Sequence, residues 1–128
     1  MLSSREIDIA FASLVQKRAD ALLINGGALF GERRVQIVTL ATRHAVPAGY
    51  YEREFPDVGG LMSYGSNIAD QARQAGIYVG RILKGEKPAN LPVMLPTRYE
   101  FVINLQTART LGIEIPPGIL AIADDAIE

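Results

Sequence analysis

Ala21-Leu-Leu-Ile24 is an unbroken apolar run, opened by Asp20 and closed by Asn25-Gly26-Gly27. It is too short for a helix. A run of this kind bounded by turn residues reads as a strand buried on both faces, as in a parallel sheet. Helical patterns stand on either side of it. Upstream, Ser3 and Glu6 have the spacing of a capping box, and Ile7, Phe11, Leu14 and Val15 follow at helical intervals to about Lys17 or Arg18. Downstream, residues 32 to about 44 read as a second helix with Val35, Val38, Leu40 and Ala41 facing inward, and Pro47 marks its end. Ala48-Gly-Tyr-Tyr51 is then the next strand. Alternating helix and strand predicts an α/β fold, a Rossmann-like parallel sheet flanked by helices and joined by right-handed crossovers.

The pattern continues. Gly60-Leu-Met-Ser-Tyr64 is a third strand, and Ser66 or Asn67 can cap a long helix over Ile68–Leu83, with Ile68, Ala72, Ala75, Val79 and Ile82 on one face. After a turn at residues 85–88, two extended segments are expected, at residues 93–95 and 100–103, separated by Pro96. Asn104 suits the N-cap of a short helix closing at Gly112, and Pro116-Pro117 can start a last helix running towards Ile127. The whole reads as one partial domain. Residues 1–57 form α/β units, 58–90 a crossover strand and long helix, and 91–128 return strands and terminal helices.

Composition narrows the function. Thirteen basic residues stand against 14 acidic ones, for a net charge of −1. No basic run is present to displace counterions from a phosphate backbone, so no nucleic-acid partner is expected. No apolar stretch approaches the roughly 20 residues that cross a bilayer. The sequence has no cysteine, which excludes disulfides, thiol nucleophiles and cysteine-ligated metals. His44 is the only histidine; it sits beside Arg43 at a helix end, with no serine or acid spaced for a triad. Asp124, Asp125 and Glu128 form an acidic tail too frayed to hold a metal. No phosphate loop or dinucleotide fingerprint occurs. Neither catalytic residues, metal nor cofactor are expected.

From about Asp57 onward the sequence becomes specific. Gly59-Gly-Leu-Met-Ser-Tyr-Gly65, Ala75-Gly-Ile-Tyr-Val-Gly-Arg-Ile-Leu-Lys-Gly-Glu-Lys-Pro88, Leu91-Pro-Val-Met-Leu-Pro-Thr97 and Glu100-Phe-Val-Ile-Asn-Leu-Gln-Thr-Ala108 stand in order, followed by Leu111-Gly and Ile115-Pro-Pro117. They resemble the C-terminal signature of ABC-transporter substrate-binding proteins of the tryptophan/tyrosine-binding type. The resemblance implies the C-terminal lobe and crossover segments of a type I periplasmic binding protein, in which two lobes grip a solute and an ABC permease receives it. It implies residues 1 to about 55 in the second lobe, 60–84 crossing to the first, and a tail that returns. It also implies a periplasmic location, whereas Met-Leu-Ser-Ser-Arg-Glu-Ile-Asp at the start lacks the basic-then-apolar pattern of an export signal and reads as cytoplasmic. The expected function is to bind a small organic solute such as an amino acid. The alternative is a truncated remnant in which the exposed face of the long helix pairs two copies into a homodimer.

Candidate ligand residues lie where the strands end, since open α/β sheets hold ligands there. Asn25, Gly26 and Gly27 follow the first strand; their glycines let N–H groups approach an anion, or they form a plain turn. Tyr51 and Glu52 follow the second, an aromatic face beside a carboxylate; Tyr50 and Tyr51 alternate, so at most one lines the cleft. Ser63, Tyr64, Gly65 and Ser66 end the third, where a stacking ring precedes a helix N-terminus that attracts a carboxylate.

Overall fold

The computed structural model describes residues 3–128. Met1 and Leu2, the first residues of the export-signal reading, lie outside the described residues. The chain forms two compact units. One comprises the residues up to Gly65 together with Glu100–Glu128; the other is Ser66–Tyr99.

In the first unit, α1 (Ser4–Gln16) opens with the expected capping box: the Glu6 carboxylate accepts from the Ser3 backbone N–H. Its Ile7 and Phe11 are buried. The sheet has the order β1-β2-β3-β4-β5, formed by β1 (Leu22–Leu23), β2 (Ala48–Tyr50), β3 (Met62–Ser66), β4 (Tyr99–Asn104) and β5 (Asp125–Ile127). β1 pairs parallel with β2 (Leu22 opposite Ala48), β2 with β3 (Tyr50 opposite Ser63), and β4 with β5 (Val102 opposite Asp125). The chain therefore adopts the α/β class, but the sheet is mixed rather than all parallel. The Asn104 N–H bonds the Leu61 carbonyl and the Asn67 N–H the Arg98 carbonyl, so β3 and β4 run in opposite directions. Ile7 and Phe11 of α1 pack with Ile24, Ala48, Tyr50 and Phe55, and with Ile37, Val38, Leu40 and Ala41, in one buried cluster.

Several local expectations are corrected. The run at residues 21–24 is not buried on both faces. Ile24 enters the core but Leu23 is 74% exposed, because it stands on the opposite face of the sheet, which no described helix covers at that row. The second helix is two, α2 (Ala28–Glu32) and α3 (Arg34–Arg43), broken at Arg33 (φ −102°, ψ 16°). Val35 points outward; the buried face is Ile37, Val38, Leu40 and Ala41, which lies around the helix from it. The third strand starts later than expected, at Met62. Gly60 belongs to a tight approach after α4 (Glu54–Asp57), where a Cβ would meet the Tyr50 ring at 2.8 Å and the Phe55 carbonyl at 2.9 Å. α6 (Leu105–Thr110) begins at Asn104, whose side-chain oxygen caps the Thr107 N–H at 3.0 Å, as its spacing predicts. The last helix stops early, as α7 (Pro117–Ile122), and the acidic tail is strand rather than frayed helix. Asp124 accepts from the Phe101 N–H at 2.7 Å and Asp125 pairs with Arg53.

In the second unit, α5 (Ile68–Leu83) matches its expected bounds. Asn67, not Ser66, is its cap, accepting from the Asp70 N–H at 2.8 Å. None of its residues is buried. Residues 93–95 are not a strand: Val93 and Leu95 are exposed in an extended segment without a sheet partner. Tyr78 fastens that segment to α5 by donating its hydroxyl to the Pro92 carbonyl at 2.6 Å.

Candidate functional site

A cleft of about 280 Å³ opens in the first unit where β1 and β2 end, beside the first three residues of β3. Asn25, Tyr51, Ser63 and Tyr64 border it, with Leu23, Gly49, Met62 and Phe101. The parallel register explains the floor, since Leu23 lies opposite Gly49 and Gly49 opposite Met62, one row across three strands. A residue larger than glycine at 49 would press on the Leu23 side chain, whose Cδ1 lies 3.3 Å from the Cβ position. Tyr64 is 63% exposed and meets Phe101 edge-on, ring centroids 6.4 Å apart at 69°. Edge-to-face pairs of this kind hold both rings in place.

Tyr51 ties the strand ends together. Its hydroxyl donates to the Gly27 carbonyl at 3.1 Å, and its ring lies 3.6 Å from where a Cβ on Gly26 would stand. Burial, then the Glu52 carboxylate, raises its phenol pKa, so the hydroxyl keeps the proton it donates. A Cβ on Gly65 would run into the Tyr51 backbone carbonyl. Of these glycines only Gly65 is required by the approach of Tyr51; Gly27 meets it through a carbonyl, and a Cβ on Gly26 would stand at ordinary contact distance. Glu52 follows in the turn before α4; burial and then Glu54 raise its carboxyl pKa, while Arg34 draws it back.

Tyr50 and Tyr51 both border the cleft, contrary to strict alternation. β2 ends at Tyr50, so Tyr51 sits in a turn that the sheet does not constrain. The Tyr50 ring is only 2% exposed and stacks on Phe55 at 4.5 Å. Ser63, opposite Tyr50 in register, is 1% exposed, and its Oγ has no hydrogen-bond partner. Ser66 is the first residue of the second unit, directly before the cap of α5. Phe101, Met62 and Gly49 were not among the sequence candidates. Phe101 stands beside Tyr64 only through sheet order, which no local spacing encodes.

A wider hollow of about 480 Å³ lies between α3 and α6, bordered by Thr39, Thr42, Thr107 and Thr110. Each of those hydroxyls already donates to a backbone carbonyl. Its threonine hydroxyls are thus committed to backbone, and the strand-end cleft remains the candidate.

An α/β layer with an aromatic cleft beside the ends of its parallel strands is an architecture on which small molecules are held. The chain belongs to the ABC transporter substrate binding protein family, whose model matches residues 1–127. It is similar to the crystal structure of a conserved domain protein from Vibrio cholerae O1 biovar eltor, at 25% identity and TM-score 0.88. It is likewise similar to the ABC domain in complex with L-Trp from Streptococcus pneumonia, at 28% identity and TM-score 0.88. Both alignments cover 98% of this chain and 42% of the other. The ligand-free, open structure of CD0873, a substrate binding protein with adhesive properties from Clostridium difficile, shares the fold. It has 23% identity and TM-score 0.68, over all of this chain and 42% of that one. The chain thus spans well under half the length of these relatives. No curated protein matches it. No described helix is long and apolar enough to cross a membrane.

Proposed function

We propose that this chain carries part of the solute-binding apparatus of an ABC-type importer, binding without transforming a small organic solute such as an amino acid. The cleft beside the ends of β1 and β2 is the contact surface; of the expected ligand-binding set, Asn25, Tyr51, Ser63 and Tyr64 border it, whereas Gly26, Gly27, Glu52, Gly65 and Ser66 do not. Tyr64 carries the reading. It is a large exposed ring in the middle of β3, steadied by Phe101 and facing a cleft whose other walls are mostly apolar. Such a ring suits an apolar or aromatic body. The L-Trp complex of the pneumococcal relative supports that class of solute. Membership of the family supports an ABC permease as partner and action outside the cytoplasmic membrane. The lobe assignment proposed with it puts residues 1 to about 55 in the second lobe, has 60–84 cross to the first, and returns the tail to the second. A relative that closes two lobes on its ligand contacts it from both sides, so this cleft alone should bind weakly. A thermal-shift panel of the common L-amino acids tests the proposal. Aromatic members should raise the melting temperature in a dose-dependent way, and a flat response across the panel would overturn it.

A second reading has its own observation. Ile68, Val79, Ile82 and Leu83 lie along one side of α5 and are exposed, an apolar face without cover among the described residues. Two copies meeting through it would form a homodimer. Sedimentation of the chain at micromolar concentration decides this: a monomer throughout removes it.

A further inference from the structure

Helix α2 is five residues long and starts from Gly27, which has no side chain to cap it. Helices this short are marginal alone, and their first turn usually gains a cap from Ser, Thr, Asp or Asn. At Gly27 the carbonyl already takes the N–H groups of Phe30 at 3.0 Å and Gly31 at 3.2 Å. The Tyr51 hydroxyl supplies a third bond, from a residue 24 positions away. That hydroxyl also lies 3.4 Å from where a Cβ on Gly31 would stand. The Tyr51 ring leans on Phe55, centroids 5.4 Å apart, and Phe55 is fully buried in the core. The Tyr51 main chain meanwhile closes on Gly65 at the end of β3.

We infer that Tyr51 is the positioning residue of the cleft: from a rigid base on Phe55, its hydroxyl fixes the turn after β1 and the start of α2, while its carbonyl sets the approach of the end of β3. A glycine-rich turn is otherwise free to move, because glycine has the widest backbone choice of any residue. With the turn pinned, Asn25 and Tyr64 border the same cleft in one fixed arrangement. Preorganisation of this kind raises affinity by removing the cost of ordering the site on binding. The role in affinity rests on the solute-binding reading; the pinning of α2 does not, and can be measured without solute.

Amide hydrogen exchange of the whole chain, followed by NMR, tests the pinning in the variants Tyr51→Phe and Tyr78→Phe. Tyr51→Phe removes only the hydroxyl. The Phe30 and Gly31 amides, both bonded to Gly27, should exchange roughly three- to tenfold faster, the change expected for loss of one net hydrogen bond. The core amides of Val102 and Ile103 should not change. Tyr78→Phe removes an equivalent hydroxyl bond, to Pro92, and should leave Phe30 and Gly31 as they were. Unchanged exchange at Phe30 and Gly31 in Tyr51→Phe would overturn the inference, as would an equal acceleration at Val102 and Ile103. Calorimetry with L-tryptophan then tests the consequence. Tyr51→Phe should bind roughly three- to tenfold more weakly with unchanged stoichiometry. Full affinity in the variant contradicts the positioning role. Absence of heat with the wild-type chain contradicts the solute reading and leaves the exchange result to decide the pinning.

Discussion

The backbone carbonyl of Tyr51 occupies the space that a Cβ on Gly65 would need, so the ends of β2 and β3 approach as closely as a side-chain-free residue permits. The obstacle is main chain on both sides, and no rotamer change relieves it. Gly65→Ala is therefore expected to lose about 2–3 kcal/mol or more of stability, the upper range for overpacking. Gly76→Ala is the counterpart. Gly76 lies inside α5 with open space around it, and the same substitution there should gain about 0.5–1 kcal/mol from helix propensity. Urea denaturation of the two variants should move in opposite directions.

Asn104 joins three elements while buried. Its side chain caps α6 through the Thr107 N–H and donates to the Pro56 carbonyl at 3.0 Å, and its own N–H reaches the Leu61 carbonyl at 2.8 Å. Asn104→Ala strands a helix N–H and removes one of the two bonds to the Pro56 carbonyl, which keeps the one from the Gly59 N–H at 3.0 Å. A loss of about 2–3 kcal/mol is expected from the denaturation midpoint, and Asn104→Asp, which keeps only the cap acceptor, should recover part of it.

Burial pushes the Tyr50 phenol up to about 12 from 10.0. A folded pKa raised above the unfolded one contributes stability that is complete below the unfolded value and is lost as pH rises through the folded value. Stability should therefore fall between pH 10 and about 12. Of the five tyrosines, Tyr50 should ionise late in an ultraviolet titration at 295 nm, and Tyr50→Phe should remove that late step.

Acid acts at the other side of the sheet. The hydrogen bond from Arg53 holds the Asp125 carboxyl below its ordinary 3.8. A depressed folded pKa gives stability that is present above the unfolded value and lost as pH falls through the folded one. Arg53 also lies near Asp57 and Glu100, so the cluster fastens β5 to α4 and β4. Below pH 3.8 the exchange of the β5 amides should quicken before that of Val102 and Ile103. Asp125→Asn should abolish the pH dependence of that step.

What the sequence made legible was local. α5 carries its cap at Asn67 and its periodicity within 16 residues, and its bounds were readable. The capping box of α1 and the Asn104 cap are three-residue spacings, and both formed. What failed depends on distant partners. Residues 125–127 are strand because β4 pairs with them and Arg53 reaches them across 72 positions. Residues 93–95 look like a strand by composition but find no pairing edge. Leu23 looked buried because nothing local marks its face of the sheet as uncovered. In the cleft, Asn25 and Tyr51 were legible from the strand-end rule; Tyr64 was named by it too, but stands in the middle of β3. Phe101 was not, since only the neighbouring of β3 and β4 sets it beside Tyr64.

Chemical-shift mapping of the whole chain with L-tryptophan tests the central claim, that the strand-end cleft holds a small solute. Saturable shifts concentrated at Asn25, Gly49, Tyr51, Tyr64 and Phe101, and at least tenfold weaker in Tyr64→Ala, are the expected result. Shifts confined to residues 66–99, or no saturable shift with any L-amino acid, would contradict it.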